Sequence, residues 1–154
     1  MEKKMAKLLI VYESRTGNTE VMAKAVYEGA LSAGATVSLK KAADSTMDDL
    51  LDCDAVIFGS PTNFGYIAGT LKEFFDQVWL TQRKKEISKP YAVFGVGSMG
   101  GKPVLVSIDR ICEAFSGRAS FKFVKAREGV ETSREPSPDV LEQCKQLGKK
   151  MAQS

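Results

Sequence analysis

Three stretches of this chain combine residue types that could hold a ligand through backbone groups and hydroxyls rather than through charge. The first is Glu13-Ser14-Arg15-Thr16-Gly17-Asn18-Thr19, where hydroxyls, an amide and a glycine lead into a segment of helical period. At a helix start the first N–H groups lack intrahelical partners and the dipole is positive, so a phosphate there gains several hydrogen bonds. The hydroxyls of Ser14, Thr16 and Thr19 could add more. The same residues admit a plainer role, with Thr16 or Asn18 capping the helix. The stretch has neither the Lys and long spacing of a Walker A loop nor the GxGxxG of a dinucleotide fold, so a terminal phosphate monoester suits it better.

The second stretch is Ser60-Pro61-Thr62-Asn63-Phe64-Gly65-Tyr66-Ile67-Ala68-Gly69. Its two aromatic residues could pack on a flat ring, and Thr62, Asn63 and free backbone groups could meet ring heteroatoms. Phe64 and Tyr66 could equally be loop anchors sunk into the core. The third, Gly95-Val96-Gly97-Ser98-Met99-Gly100, spells GxGxxG before a helix, but it follows the fourth strand and no acidic residue ends the next strand to hold a ribose. What it offers is a bare backbone able to approach a planar ligand.

Positioning these loops requires strands that end and helices that begin beside them. Leu8 to Tyr12, Asp54 to Gly59 and Tyr91 to Val96 are short apolar runs, as expected of strands covered on both faces. Val37 and Leu39 mark another strand, and Phe121 to Val124 a fifth. Between them the period changes to helical: Val21, Met22, Ala25, Val26, Gly29 and Ala30 share a stripe, as do Leu71, Phe74, Phe75, Val78 and Trp79. Val104, Leu105, Ile108, Ile111, Cys112 and Phe115 form a third stripe behind Pro103, and Val140, Leu141, Cys144, Leu147 and Met151 a last one behind Pro138. A short helix after Ser45 fits Met47, Leu50 and Leu51. The stretch through Ser133 and Pro136 reads as a polar loop. Alternating strands and helices call for an α/β fold with a parallel sheet, whose ligands sit beyond the strands' carboxyl ends where strand order reverses.

The length of 154 residues suits a single domain spanning 1–154, without repeats. Formal charge is +3, from 22 basic and 19 acidic residues spread along the chain. Lys84-Lys85 and Lys149-Lys150 read as solvated pairs, so nucleic-acid binding is not expected. The apolar run behind Met1-Glu2-Lys3-Lys4-Met5-Ala6-Lys7 is too short for a signal peptide, and no membrane span is expected. Cys53, Cys112 and Cys144 have no metal-ligand spacing and read as core thiols of a cytoplasmic protein. No metal is expected.

In this order and register the three loops resemble the flavodoxin family. Ser14-Arg15-Thr16-Gly17-Asn18-Thr19 is similar to that family's FMN-phosphate loop. Gly59-Ser60-Pro61-Thr62-Asn63-Phe64-Gly65 is more similar to the flavodoxin-like NAD(P)H:quinone oxidoreductases related to tryptophan-repressor-binding protein, in which Pro-Thr-Arg-Phe-Gly is usual and Asn63 takes the arginine's place. The resemblance covers Leu8 to Gly101. It implies a flavodoxin-like three-layer sandwich with a five-stranded parallel sheet of order 2-1-3-4-5. It also implies FMN, its phosphate held by Ser14, Arg15, Thr16, Gly17, Asn18 and Thr19. The ring would be lined by Pro61, Thr62, Asn63, Phe64, Gly65 and Tyr66, and closed off by Gly97, Ser98, Met99, Gly100 and Gly101. Flavodoxin itself illustrates the strand-order rule above, so FMN's placement is inherited from the resemblance.

Two departures bear on function. The quinone-reductase branch usually has a histidine before the Gly-Gly of the third loop; here Met99 precedes Gly100-Gly101, and the chain contains no histidine. Flavodoxin carriers are usually acidic, whereas this chain is slightly basic. The expected function is a low-potential electron carrier between redox proteins, a reductase and an acceptor, acting as monomer or homodimer. The alternative is an NAD(P)H-dependent quinone or flavin reductase. A fold that has lost FMN and serves as a signalling or scaffold domain stands third. A phosphorelay receiver would need an acidic cluster after the first strand, where only Glu13 is available. No catalytic side chain is required, because FMN would supply the chemistry.

Overall fold

The computed structural model describes residues 6–81, 86–118 and 120–153. The basic pair Lys84-Lys85 and residues Met1 to Met5 lie outside them. The first apolar run becomes β1 (Lys7–Tyr12), which is followed by α1 (Asn18–Ser32), β2 (Thr36–Lys41), a 3-10 turn (Ala42–Asp44) and α2 (Met47–Asp52). The chain continues through β3 (Ala55–Pro61), α3 (Gly69–Thr81), β4 (Ile87–Gly97), α4 (Lys102–Arg118), β5 (Phe121–Lys125), β6 (Val130–Ser133) and α5 (Pro138–Ala152). The strands form one sheet in the order β2-β1-β3-β4-β5, and every pairing is parallel. The sheet order and layering are those that the loop resemblance implies.

Period-2 alternation sends side chains to two cores. Leu9 and Val11 of β1, Val56 and Phe58 of β3 and Tyr91 and Val93 of β4 face the layer of α2, α3 and α4. Leu8, Ile10 and Tyr12, with Ala55, Ile57, Ala92, Phe94 and Val96, face α1 and α5. Both faces of the central strands are therefore dry, which is why these runs are continuously apolar. The first core is aromatic: Phe58 lies 4.8 Å from Phe75 and 5.7 Å from Phe123 between ring centres. Each such buried side chain contributes about 1.5–3 kcal/mol relative to exposure.

The structure differs from expectation at the sheet edge. β4 is long enough to pair twice, its first half (Ile87–Tyr91) with β5 and its second half (Phe94–Gly97) with β6. The stretch expected as polar loop thus begins as a sixth strand. Of its four residues only Val130 is buried, so hydrophobic pattern could not mark it; backbone pairing with β4 makes it. Among the described residues no helix is long and apolar enough to cross a membrane.

Candidate functional site

Parallel pairing brings the carboxyl ends of β1, β3, β4 and β6 to one edge, and the three chemically distinctive loops start there. They are the 13–17 loop between β1 and α1, the 62–68 loop between β3 and α3, and the 98–101 turn between β4 and α4. The 134–137 loop after β6 joins them, through a hydrogen bond from Arg134 N–H to the Gly97 carbonyl at 2.9 Å.

In the first loop Gly17 is the helix N-cap, with φ of 100° and no side chain to cap with. That left-handed conformation favours glycine. The hydroxyl oxygen of Ser14 accepts hydrogen bonds from the N–H groups of Gly17 and Glu20, both at 3.2 Å, so Ser14 fills the capping role that is the alternative for Thr16 or Asn18. Thr16 and Arg15 are exposed, and the N–H groups of Asn18 and Thr19 have no partner among the described residues. Thr19 is buried, which makes its hydroxyl the least accessible of the set. Two anchors hold the loop from behind. The Glu13 carboxylate accepts from Ser14 N–H at 2.8 Å and from the Thr70 hydroxyl at 2.6 Å. The Tyr12 hydroxyl donates to Glu20 at 3.0 Å, and burial followed by that acidic neighbour pushes its pKa up to about 12.

The second loop folds back on itself. Asn63 N–H donates to the Tyr66 carbonyl at 2.7 Å and Tyr66 N–H to the Asn63 carbonyl at 3.0 Å. Between them Phe64 and Gly65 take φ of 52° and 75°. Positive φ at both central residues is the geometry of a tight hairpin turn, unusual for an aromatic residue. Phe64 is fully exposed, so it is no core anchor; Tyr66 is 39% exposed. The buried Ser60 hydroxyl ties the loop's two ends, donating to the Pro61 carbonyl at 2.7 Å and accepting from Ala68 N–H at 2.9 Å.

The third loop is a turn closed by Gly100 N–H to the Gly97 carbonyl at 3.0 Å. Thr62 joins it to the second loop, its hydroxyl donating to the Gly100 carbonyl at 3.0 Å and its N–H to the Val96 carbonyl at 2.7 Å. A Cβ on Gly97 would come within 2.6 Å of the Gly100 carbonyl and 2.8 Å of Thr62 Cβ. Ser98 and Met99 are exposed, whereas Gly101 is buried against the backbone of Gly95 and Val96. The expected residues therefore meet at one edge, with Gly101 spent on packing α4 against β4. The tying roles of Ser60 and Glu13, and the part played by the Arg134 loop, lay outside the expectation from sequence.

The edge offers, for an anion, a helix start with two N–H groups unpaired among the described residues and the Ser14 hydroxyl, and, for a flat ring, the aromatic turn at 63–66 beside the glycine turn at 97–100. These groups fit a phosphate-bearing heteroaromatic cofactor. Comparison with known proteins agrees. The family model described as Flavodoxin matches residues 10–147. A flavodoxin of Aquifex aeolicus is 32% identical over 97% of this chain and 86% of its own length. An NAD(P)H dehydrogenase (quinone) of Archaeoglobus fulgidus is 30% identical over 97% of both chains. The solved oxidised flavodoxin 1 of Bacillus cereus superposes with a TM-score of 0.77 at 24% identity, covering 96% of this chain and 98% of its own.

Proposed function

We propose, from the premise that this chain belongs to the flavodoxin family, that it works as a low-potential electron carrier between larger redox proteins. FMN is that family's cofactor, and when bound it accepts a hydride or electrons and releases electrons singly. The side chains bind and orient it. Ser14, Thr16 and the N–H groups of Asn18 and Thr19 would hold the phosphate. Pro61 to Tyr66 and Gly97 to Gly100 would enclose the ring. The peptide between Phe64 and Gly65 would offer its carbonyl to the proton gained at flavin N5 on reduction.

The observation that carries this reading is the first loop, whose Ser14 hydroxyl and Gly17 cap hold a helix start open with two N–H donors unspent. The ionisable groups of the first loop, Glu13 and the Tyr12–Glu20 pair, are spent on anchoring it, and a carrier needs no acid–base pair. The second reading, an NAD(P)H-dependent quinone reductase, is favoured by the Pro61–Gly65 sequence and by the Archaeoglobus relative.

Titrating the apoprotein with FMN tests the cofactor site. One FMN per chain is expected, and Thr16→Leu should weaken binding about tenfold, or about 1.4 kcal/mol, with the unfolding midpoint nearly unchanged. Equal FMN affinity in that variant would remove Thr16 from the phosphate site.

A further inference from the structure

Beside the second loop, an open groove of about 690 Å³ runs along α4, lined by Tyr66, Pro103, Val106, Ile111 and Ala114 together with Lys102 and Arg110. Lys102, Val106 and Arg110 stand four residues apart on one helix stripe, which sets the two cations about 12 Å apart along the axis. Neither makes an ion pair among the described residues, and no carboxylate lines this groove. Asp109, on the same helix, is taken by the Tyr91 hydroxyl at 2.8 Å and the Lys125 ammonium at 3.0 Å. Ala114 also lines a second groove, of about 470 Å³, that continues toward Trp79 and Glu113. Together the two follow α4 for about 20 Å.

We propose that this face is where an acidic redox protein docks, its carboxylates meeting Lys102 and Arg110 across an apolar contact centred on Tyr66 and Val106. The inference rests on the carrier reading and adds the charge and position of the partner. Tyr66 belongs both to the turn beside the proposed flavin site and to this groove, so a partner seated here lies next to the cofactor. Small-ligand sites enclose most of their ligand, whereas this surface is open and mainly apolar. Aromatic and arginine groups inside a polar rim are the composition of protein interfaces. Val106 and Tyr66, each about two-fifths exposed, supply the apolar part.

The test is calorimetric titration of the FMN-loaded chain with an acidic plant-type [2Fe–2S] ferredoxin and, separately, with basic cytochrome c. The ferredoxin should bind, and raising salt from about 0.01 M to about 0.15 M, which shortens screening from about 30 Å to about 8 Å, should weaken it. The Lys102→Glu, Arg110→Glu double variant should lose ferredoxin affinity about tenfold or more and gain affinity for cytochrome c. Flavin absorbance reports separately whether the variant still holds FMN. A chain that takes up no FMN defeats the carrier reading, while ferredoxin binding to it still reports on the groove. Preference of the unaltered chain for cytochrome c, absence of ferredoxin binding at low salt, or ferredoxin affinity indifferent to the double variant would each overturn the proposal. So would loss of NADPH binding in that variant with ferredoxin binding intact, which would make the groove a nucleotide site.

Discussion

The Ser14 hydroxyl accepts from two N–H groups across the first turn of α1, so the loop is already bent into its cradle by its own side chain. Pre-organisation of this kind lowers the ordering cost of binding. Gly65 acts differently. Its φ of 75° is left-handed, but a Cβ there would meet nothing within 4 Å, so Gly65→Ala should cost about 1 kcal/mol through backbone conformation alone. If the Phe64–Gly65 carbonyl faces flavin N5, that variant should still bind FMN while its midpoint potentials move; potentials equal to those of the unaltered protein would count against the role. The cysteines carry a separate prediction. Burial raises the thiol of Cys53 to about 11 and that of Cys144 to about 12, above the usual value of about 8.5. Tyr12 moves the same way. These groups are neutral in the fold and ionise first in the unfolded chain, so their stabilisation is complete below pH about 8.5 and is lost as pH rises through the folded values. Urea midpoints should fall between pH 8 and pH 10, and a thiol reagent at pH 8 should label the native chain slowly and the unfolded chain fully. Rapid labelling of the native chain would contradict the burial.

At the scale of elements, α1 and α5 come together through glycines. A Cβ on Gly29 would overlap the Lys145 carbonyl, and one on Gly148 would overlap the Val26 carbonyl. The crossing is backbone to backbone, which no larger residue permits without separating the helices. Gly148→Val should therefore cost about 3 kcal/mol, measured by urea unfolding, with FMN affinity of the folded fraction unchanged because the crossing lies away from the loops. A neutral substitution would mean that the helices pack less closely. The period of each helix and the central strands were legible because burial on one stripe or both faces dictates the residue types. The short edge strand β6 was not. It exists because β4, at eleven residues, outruns β5 and leaves four residues to pair, a fact about a partner rather than about Val130–Ser133.

For the molecule as a whole, the sequence made the three loops visible, since hydroxyls, turn glycines and aromatics are concentrated where strands end. The ties between them were hidden. Thr62 reaching Gly100, Ser60 closing its own loop and Arg134 bonding to Gly97 are meetings of residues 8 to 38 positions apart, or across strands, that only the sheet order brings about. The proposed flavin edge serves a carrier and a reductase alike, and the two differ in what delivers the electrons. Anaerobic addition of NADPH or NADH to the FMN-loaded chain, followed by the absorbance of oxidised flavin, reads that difference directly. The carrier account predicts that the flavin stays oxidised until dithionite or a partner reductase is added; rapid bleaching by NADPH or NADH alone would contradict it and establish a pyridine-nucleotide oxidoreductase.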